Sequence, residues 1–233
     1  MSAAGVRNGI FRDRMEAGRE LAARLGAYRN DPSGLILALP RGGVPVGYEI
    51  SLALNLPLDV FITRKLGAPE DPEYAIGAVA ETGAVYMNPQ AIRLFGGFSL
   101  SDRFFSDAIC AKREEIAKRQ MLYRGRHPLP DLKDRTVLLV DDGVATGATF
   151  LASVEALRNL QVRRLIAALP VGPRDTLSEI GKQVDKLIVL ATPEPFYAVG
   201  NHYMDFRQVE DEEVVRYLKQ AASAHVKSHA SPE

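Results

Sequence analysis

The chain has one cysteine, Cys110, no net charge and no long hydrophobic run. A single thiol cannot close an internal disulfide, which fits a reducing cytoplasm. The helical residues around Cys110 lead us to expect a packed thiol rather than a nucleophile. Lys plus Arg and Asp plus Glu each number 29. No global positive field exists to collect nucleic acid, so any anion site must be local. No stretch reaches the roughly 18 apolar residues of a membrane span. Met1 to Arg14 mixes Arg7, Arg12, Asp13 and Arg14 with few apolar residues, unlike a secretory leader. The expectation is a cytoplasmic protein that engages neither membrane nor nucleic acid. His127, His202, His225 and His229 lack metal-ligand spacing. Neither a G-x-S-x-G elbow nor a G-x-x-x-x-G-K-[ST] loop occurs, which counts against a serine hydrolase and a nucleotide triphosphatase.

What is present is 233 residues, 46% hydrophobic and 25% charged, enough for one sizeable core with a small appendage. Phe11 to Tyr28 has near-helical apolar spacing and closes at Pro32 and Gly34. A strand at Leu35 to Leu39, a helix from Pro45 to Leu54 and a strand at Leu58 to Thr63 make a βαβ start, hence a parallel sheet. Gly67 to Glu73 reads as a loop, and Ala75 to Ala80 with Ala84 to Met87 flank Glu81-Thr82-Gly83 as a hairpin would. Glu73 and Glu81 read as exposed turn residues without a role. Ser101 to Tyr123 is helical; with Pro89 to Gly97 it is long for a crossover, and the roles open to it are a subunit contact and part of a lid. A helix to about Leu160, strands at Arg164 to Pro170 and Leu187 to Ala191, and a helix from Pro173 between them continue the alternation. Val209 to Ala222 reads as a last helix, with a frayed polar tail from His225. The class is α/β, a central parallel sheet flanked by helices.

One run concentrates the chemistry: Val137-Leu138-Leu139-Val140-Asp141-Asp142-Gly143-Val144-Ala145-Thr146-Gly147-Ala148-Thr149. Four consecutive apolar residues suit a strand covered on both faces. Asp141 and Asp142 then stand in the crevice at its end, where open α/β sheets bind ligands. The small residues that follow let backbone N–H groups approach a phosphate, and the Thr146 and Thr149 hydroxyls can add bonds at a helix N-terminus near Gly147. Carboxylates repel phosphate, so their place beside its cradle makes sense if they accept hydrogen bonds from hydroxyls of the same ligand. A ribose 5-phosphate carries both groups. The bland alternative is a buried strand with an acidic turn.

An apolar strand, two acidic residues and a turn ending in Thr146-Gly147-Ala148-Thr149 resemble the ribose-phosphate signature of the type I phosphoribosyltransferases. The resemblance spans about Leu35 to Ala191 and implies that family's fold in a single domain, 1–233. Its core would be about 35–191, with a helical insertion at about 89–131 and hood elements at about 192–222. It implies transfer of ribose 5-phosphate from phosphoribosyl pyrophosphate to a nitrogenous acceptor, as in nucleotide metabolism, with Mg2+ as cofactor. By the same resemblance Asp141 and Asp142 hold the ribose hydroxyls, and Gly143, Val144, Ala145, Thr146, Gly147, Ala148 and Thr149 hold the 5-phosphate. The turn Pro40-Arg41-Gly42-Gly43 receives pyrophosphate, often through a strained or cis peptide, and the fork of Arg41 matches phosphate oxygens. Arg64 and Lys65, read as ending the second strand, lead into a loop that would close over the pyrophosphate. Phe196 or Tyr197 would stack on the acceptor ring, an interaction worth about 1–3 kcal/mol per base.

The magnesium would be carried by the ligand's own oxygens and waters, with at most a water-mediated link to Asp141 or Asp142 and no direct protein ligand. Ala145 stands where members acting on 6-oxopurines carry an acidic residue, which counts against hypoxanthine and guanine. The Val85 to Asp131 stretch has no counterpart in the compact purine enzymes and resembles more closely the uncharacterised members that share the Pro40-Arg41-Gly42-Gly43 turn and the Phe196 hood. A homo-oligomer is left open. The reading from another class is a phosphoribosyl pyrophosphate sensor that binds without turnover, although no helix-turn-helix segment precedes Leu35.

Overall fold

The apolar segments Gly34–Ala38, Thr136–Val140 and Arg164–Val171 become the inner strands of a parallel sheet because helices cover both faces and leave no need for alternation. In this computed structural model residues 10–68, 75–88, 93 and 103–229 are described. In chain order the elements are α1 (Arg14–Arg24), β1 (Gly34–Ala38), α2 (Gly43–Leu54), β2 (Leu58–Val60), β3 (Thr63–Gly67), β4 (Ala75–Ala80), β5 (Val85–Met87) and α3 (Arg103–Arg124). There follow β6 (Thr136–Val140), α4 (Ala148–Asn159), β7 (Arg164–Val171), α5 (Arg174–Gln183), β8 (Lys186–Ala191) and α6 (Asp211–His229). The five-stranded sheet runs β2-β1-β6-β7-β8, all parallel. The fold class is therefore the expected one.

Period-two geometry divides the strand residues between two cores. Leu35, Leu37, Val137, Leu139, Leu165 and Ala167 face Phe150, Leu151 and Leu157 of α4 with Leu177 and Ile180 of α5. On the other face Ile36, Leu138, Val140, Ile166 and Ala168 meet Leu21, Ala22, Val46, Ile50 and Leu54 of α1 and α2. Asp13 caps α1 by accepting the Glu16 N–H at 2.8 Å. None of the helices in the described residues is long and apolar enough to cross a membrane.

The expected second strand, Leu58 to Thr63, is divided. Its first half is β2; Phe61 and Ile62 lie buried in the gap, and the Ile62 N–H turns away to the Glu81 carboxylate at 2.8 Å. From Thr63 the chain enters a separate antiparallel sheet, β3-β4-β5. A 2.7 Å hydrogen bond between Thr63 and Ser153 hydroxyls pins this sheet to α4. Arg64 and Lys65 thus lie inside a paired strand, opposite Val79 and Ala78, and do not end one. Gly67 closes β3 against Ala75, whereas residues 69–73 of the expected loop, Glu73 included, lie outside the described residues. The β4–β5 hairpin forms as expected, with Gly83 at φ +86.

Glu81 is the clearest reversal. It sits in the hairpin turn, yet its side chain is 1% exposed and pairs with Arg124, the last residue of α3. Arg124 also lies 3.7 Å from Asp59, and Gln120 donates to Glu81 at 2.9 Å. This buried cluster fastens α3 to both sheets. Apart from Arg93 the segment Pro89 to Gly97 is outside the described residues, as is the expected helix start at Ser101. Cys110 is exposed rather than packed, because α3 buries Phe105, Ile116 and Tyr123 and leaves Cys110 on its solvent side. The last helix does not fray at His225. Alanines favour helix, and Ala221 is buried, with Ala224 and His225 beside Asn55 at the end of α2, so α6 continues to His229.

Burial pushes Asp59 up to about 6 from 3.8, with Arg124 opposing. Between those values the folded chain keeps a proton that the unfolded chain has released, so stability falls as pH rises through that window. Asp59→Asn should flatten this slope in denaturant titrations from about pH 4 to pH 7. Identical slopes in the two proteins would show that Asp59 does not titrate this way.

Candidate functional site

Parallel pairing ends with Ala38 opposite Val140, so the segments after β1 and β6 leave the sheet side by side. The Leu39 N–H donates to the Val140 carbonyl at 2.9 Å and extends the ladder into the turns. Pro40-Arg41-Gly42-Gly43 then presses on the acidic segment more closely than side chains would permit. A Cβ on Gly43 would lie 2.7 Å from the Val140 oxygen and 2.9 Å from Asp141 Cα, and one on Gly42 would collide with the Asp142 carboxylate. The Pro40–Arg41 peptide is cis.

Downstream, Gly143 has φ +151 and Gly147 φ +74, values that L side chains rarely adopt. The Val144 N–H donates to Val171 O at 3.0 Å, and Thr176 Oγ1 donates to Ala145 O at 2.8 Å. These bonds tie the turn to β7 and α5. The result is a cleft of about 140 Å3 lined by Asp141, Gly143, Val144, Ala145, Thr146, Gly147, Ala148, Thr149 and Phe150. It lies at the N-terminus of α4, where the helix dipole and unpaired N–H groups favour an anion.

The two carboxylates differ in surroundings. Asp141 Oδ1 accepts the Asp142 N–H at 2.9 Å and lines the cleft. Burial, and then the charge of Asp142, raises Asp141 well above the usual carboxylate range. Asp142 is raised by burial too, but Arg14 opposes the shift. Arg14 Nε donates to Asp142 Oδ2 at 2.7 Å in a pair only 10% and 13% exposed. The guanidinium also donates to Arg207 O at 2.8 Å and lies 3.8 Å from the Phe206 ring centre. Tyr203 Oη donates to Asp142 O at 2.6 Å, and burial raises this phenol further than any nearby charge does.

Arg41 reaches the start of α6, with Nη1 3.2 Å from Glu210 Oε2 and 3.9 Å from Asp211 Oδ1. Arg64 is partly buried, donates to Thr63 O at 3.1 Å and lies 3.9 Å from Glu115. Lys65 follows it in β3, and successive strand residues face opposite ways, so the two cations expected as a pair are split between faces. Phe196 is half-buried with its ring centre 4.9 Å from that of His202, whereas Tyr197 is 79% exposed. Among the described residues no group of three or more His, Cys, Asp or Glu is arranged to hold a metal ion.

The sequence reading missed Arg14 and Tyr203. Arg14 and Asp142 are 128 positions apart, and an arginine in the first turn of an amphipathic helix reads as solvated. Only the Asp13 cap marked the place locally.

Comparison with known proteins gives a consistent picture. The family model described as a phosphoribosyl transferase domain matches residues 12–196. A protein of Mycobacterium tuberculosis H37Rv named "Putative phosphoribosyl transferase" is 41% identical over 214 residues, which is 91% of this chain and 47% of that protein. The chain thus spans about half the length of this curated relative, and a counterpart in strain CDC 1551 matches equally. The crystal structure of the protein TT1426 from Thermus thermophilus is 36% identical and superposes with a TM-score of 0.74, covering 90% of this chain and 98% of that one.

Arg14→Met should destabilise the protein by roughly 3–5 kcal/mol at pH 8, because it leaves Asp142 buried without its partner. The loss should shrink toward pH 5 as the orphaned carboxyl takes a proton, and denaturant titration of both proteins at the two pH values measures it. A loss that does not vary with pH would mean that the packing of Arg14, and not its charge, holds α1 in place.

Proposed function

The chain belongs to the phosphoribosyl transferase domain family, and from that premise we propose that it transfers ribose 5-phosphate from phosphoribosyl pyrophosphate to a nitrogenous, heterocyclic acceptor. The observation that carries this reading is the apposition of two turns at the ends of β1 and β6, with Asp141 at the edge of a cleft built from Gly143 to Thr149. In the reaction an acceptor ring nitrogen gives its lone pair to ribose C1. The bond from C1 to the pyrophosphate oxygen breaks, pyrophosphate leaves with that electron pair, and the nitrogen releases its proton to solvent. The transition state resembles an oxocarbenium ion, as in glycoside chemistry.

The protein's work is then positioning and charge stabilisation. Asp141 accepts from the ribose hydroxyls, and Asp142, anchored by Arg14, fixes the backbone from which Asp141 projects. The 5-phosphate occupies the cleft at the α4 N-terminus. Arg41 in its turn and Arg64 on β3 serve the departing pyrophosphate, while Lys65 faces away from Arg64 and acts only at longer range. Tyr197, being exposed, is the better platform for an acceptor ring, since Phe196 already packs against His202. Ala145 lines the cleft and offers no group to handle a base proton, which counts against hypoxanthine and guanine as the acceptor.

Two adjacent carboxylates, one lining the cleft, form a hard-oxygen set that fits Mg2+ held through water. When bound, Mg2+ would neutralise charge on the leaving pyrophosphate. The lone, exposed cysteine accords with a cytoplasmic setting. The sensor reading draws on the Arg14–Asp142 pair, which occupies a carboxylate expected to serve the sugar.

Pyrophosphate release, followed with phosphoribosyl pyrophosphate, magnesium and a panel of purines, pyrimidines and other nitrogen heterocycles, tests both readings. An enzyme releases pyrophosphate with at least one acceptor, and Asp141→Asn/Asp142→Asn should slow this by about 100-fold or more while circular dichroism stays unchanged. Undiminished release in the double variant refutes the carboxylate assignment; binding without release for any acceptor establishes the sensor.

A further inference from the structure

Two hydrogen-bond donors and a further guanidinium, from two separate elements, gather around one oxygen at the start of α6. Asp211 Oδ1 accepts from Arg119 Nη1 at 2.6 Å and from Tyr123 Oη at 2.5 Å, both on α3. Arg41 Nη1, from the turn after β1, stands 3.9 Å from the same atom. Arg64 on β3 is close enough to feel both Arg119 and Asp211; its guanidinium is held below the usual range first by burial and then by the like charge of Arg119. Burial, followed by the bond to Asp211, pushes the Tyr123 hydroxyl up to about 12, so it remains a donor at neutral pH.

A single carboxylate is a poor match for this setting. Guanidinium forks are satisfied by two oxygens of one planar or tetrahedral anion, and Arg41 meets Asp211 beyond hydrogen-bond distance. The other carboxylates nearby, Glu210 and Glu115, sit on solvent-exposed side chains about half accessible, and such pairs are weakly held and exchange readily. The cluster also adjoins Arg41 and hence the turn packed on Asp141 and Asp142.

We propose that Asp211 fills a seat which the distal phosphate of a pyrophosphate group takes on binding, so that Arg119 and Tyr123 of the inserted helix α3 are pyrophosphate-binding residues and Asp211 is the competitor they release. The inference rests on the phosphoribosyl pyrophosphate reading above and deepens it. It gives α3 a place in the site, and it separates the cradle for the 5-phosphate at α4 from the seat for pyrophosphate between α3 and α6.

Isothermal titration of the full chain with inorganic pyrophosphate plus magnesium chloride, and separately with ribose 5-phosphate, tests it. Arg119→Gln should weaken pyrophosphate binding by about tenfold or more, through loss of a charge-assisted bond, and leave ribose 5-phosphate within about twofold. Asp211→Asn should tighten pyrophosphate binding by about threefold or more, a gain that damage to the fold would not produce. Tyr123→Phe keeps the ring and should weaken pyrophosphate binding alone, which carries the test if Arg119→Gln does not fold. Unchanged or weaker pyrophosphate binding in Asp211→Asn overturns the proposal. So does a wild-type protein that binds ribose 5-phosphate but not pyrophosphate, leaving the functional reading in place. Binding of neither ligand by the wild type overturns that reading as well.

Discussion

The parallel pairing of β1 with β6, from Gly34 opposite Thr136 to Ala38 opposite Val140, is what the rest of the site depends on. It brings two turns from distant parts of the chain to one edge of the sheet, where no side chain separates them. Gly42 and Gly43 permit that approach, because a methyl group at either position would strike the acidic segment. Once the backbones are this close, the Asp141 and Asp142 carboxyls cannot both be well hydrated. Burial then raises both, and the charge of Arg14 opposes the shift.

Buried carboxylates need partners, and the fold supplies them by distant arginines. α1 brings Arg14 to Asp142, and α3 brings Arg124 to Glu81 and Asp59. Each arginine does double duty, since it neutralises charge and also helps to fix a helix against a sheet. The Arg14 contact extends to Phe206 and the Arg207 carbonyl, so the segment after β8 is clamped to the same point. The position of Asp142 and the packing of the last third of the chain are therefore linked through one guanidinium.

Much of this architecture was legible in local pattern. Val137 to Val140 declared a doubly covered strand, and the same logic found β1, β7 and β8, because a parallel strand needs nothing but continuous apolar side chains to be recognised. Glu81-Thr82-Gly83 announced its hairpin through the glycine. The failures share a cause. Leu58 to Thr63 looked like one strand because only Asp59 interrupts its apolar and β-branched residues, but the exit at Phe61 and Ile62 is set by Glu81 and by Thr63 on Ser153. Glu81 looked exposed because turn residues usually are, and only α3 folding over it makes it buried. Cys110 looked packed because it stands among helical residues, and only the packing of α3 leaves it on the solvent side.

By itself the amino-acid sequence determined the α/β class, the strand ends at which a ligand would sit, and the acidic, glycine-bearing turn after β6. These follow from side-chain period and backbone freedom within a few residues. Only the tertiary structure decided that Arg14 holds Asp142, that Arg64 and Lys65 face opposite ways, and that Arg119, Tyr123 and Arg41 meet at Asp211. Such contacts join residues as far apart in the chain as Arg41 and Asp211. Charges paired across that separation leave no periodic trace, because an arginine bound for a buried carboxylate and one bound for water are spelled alike.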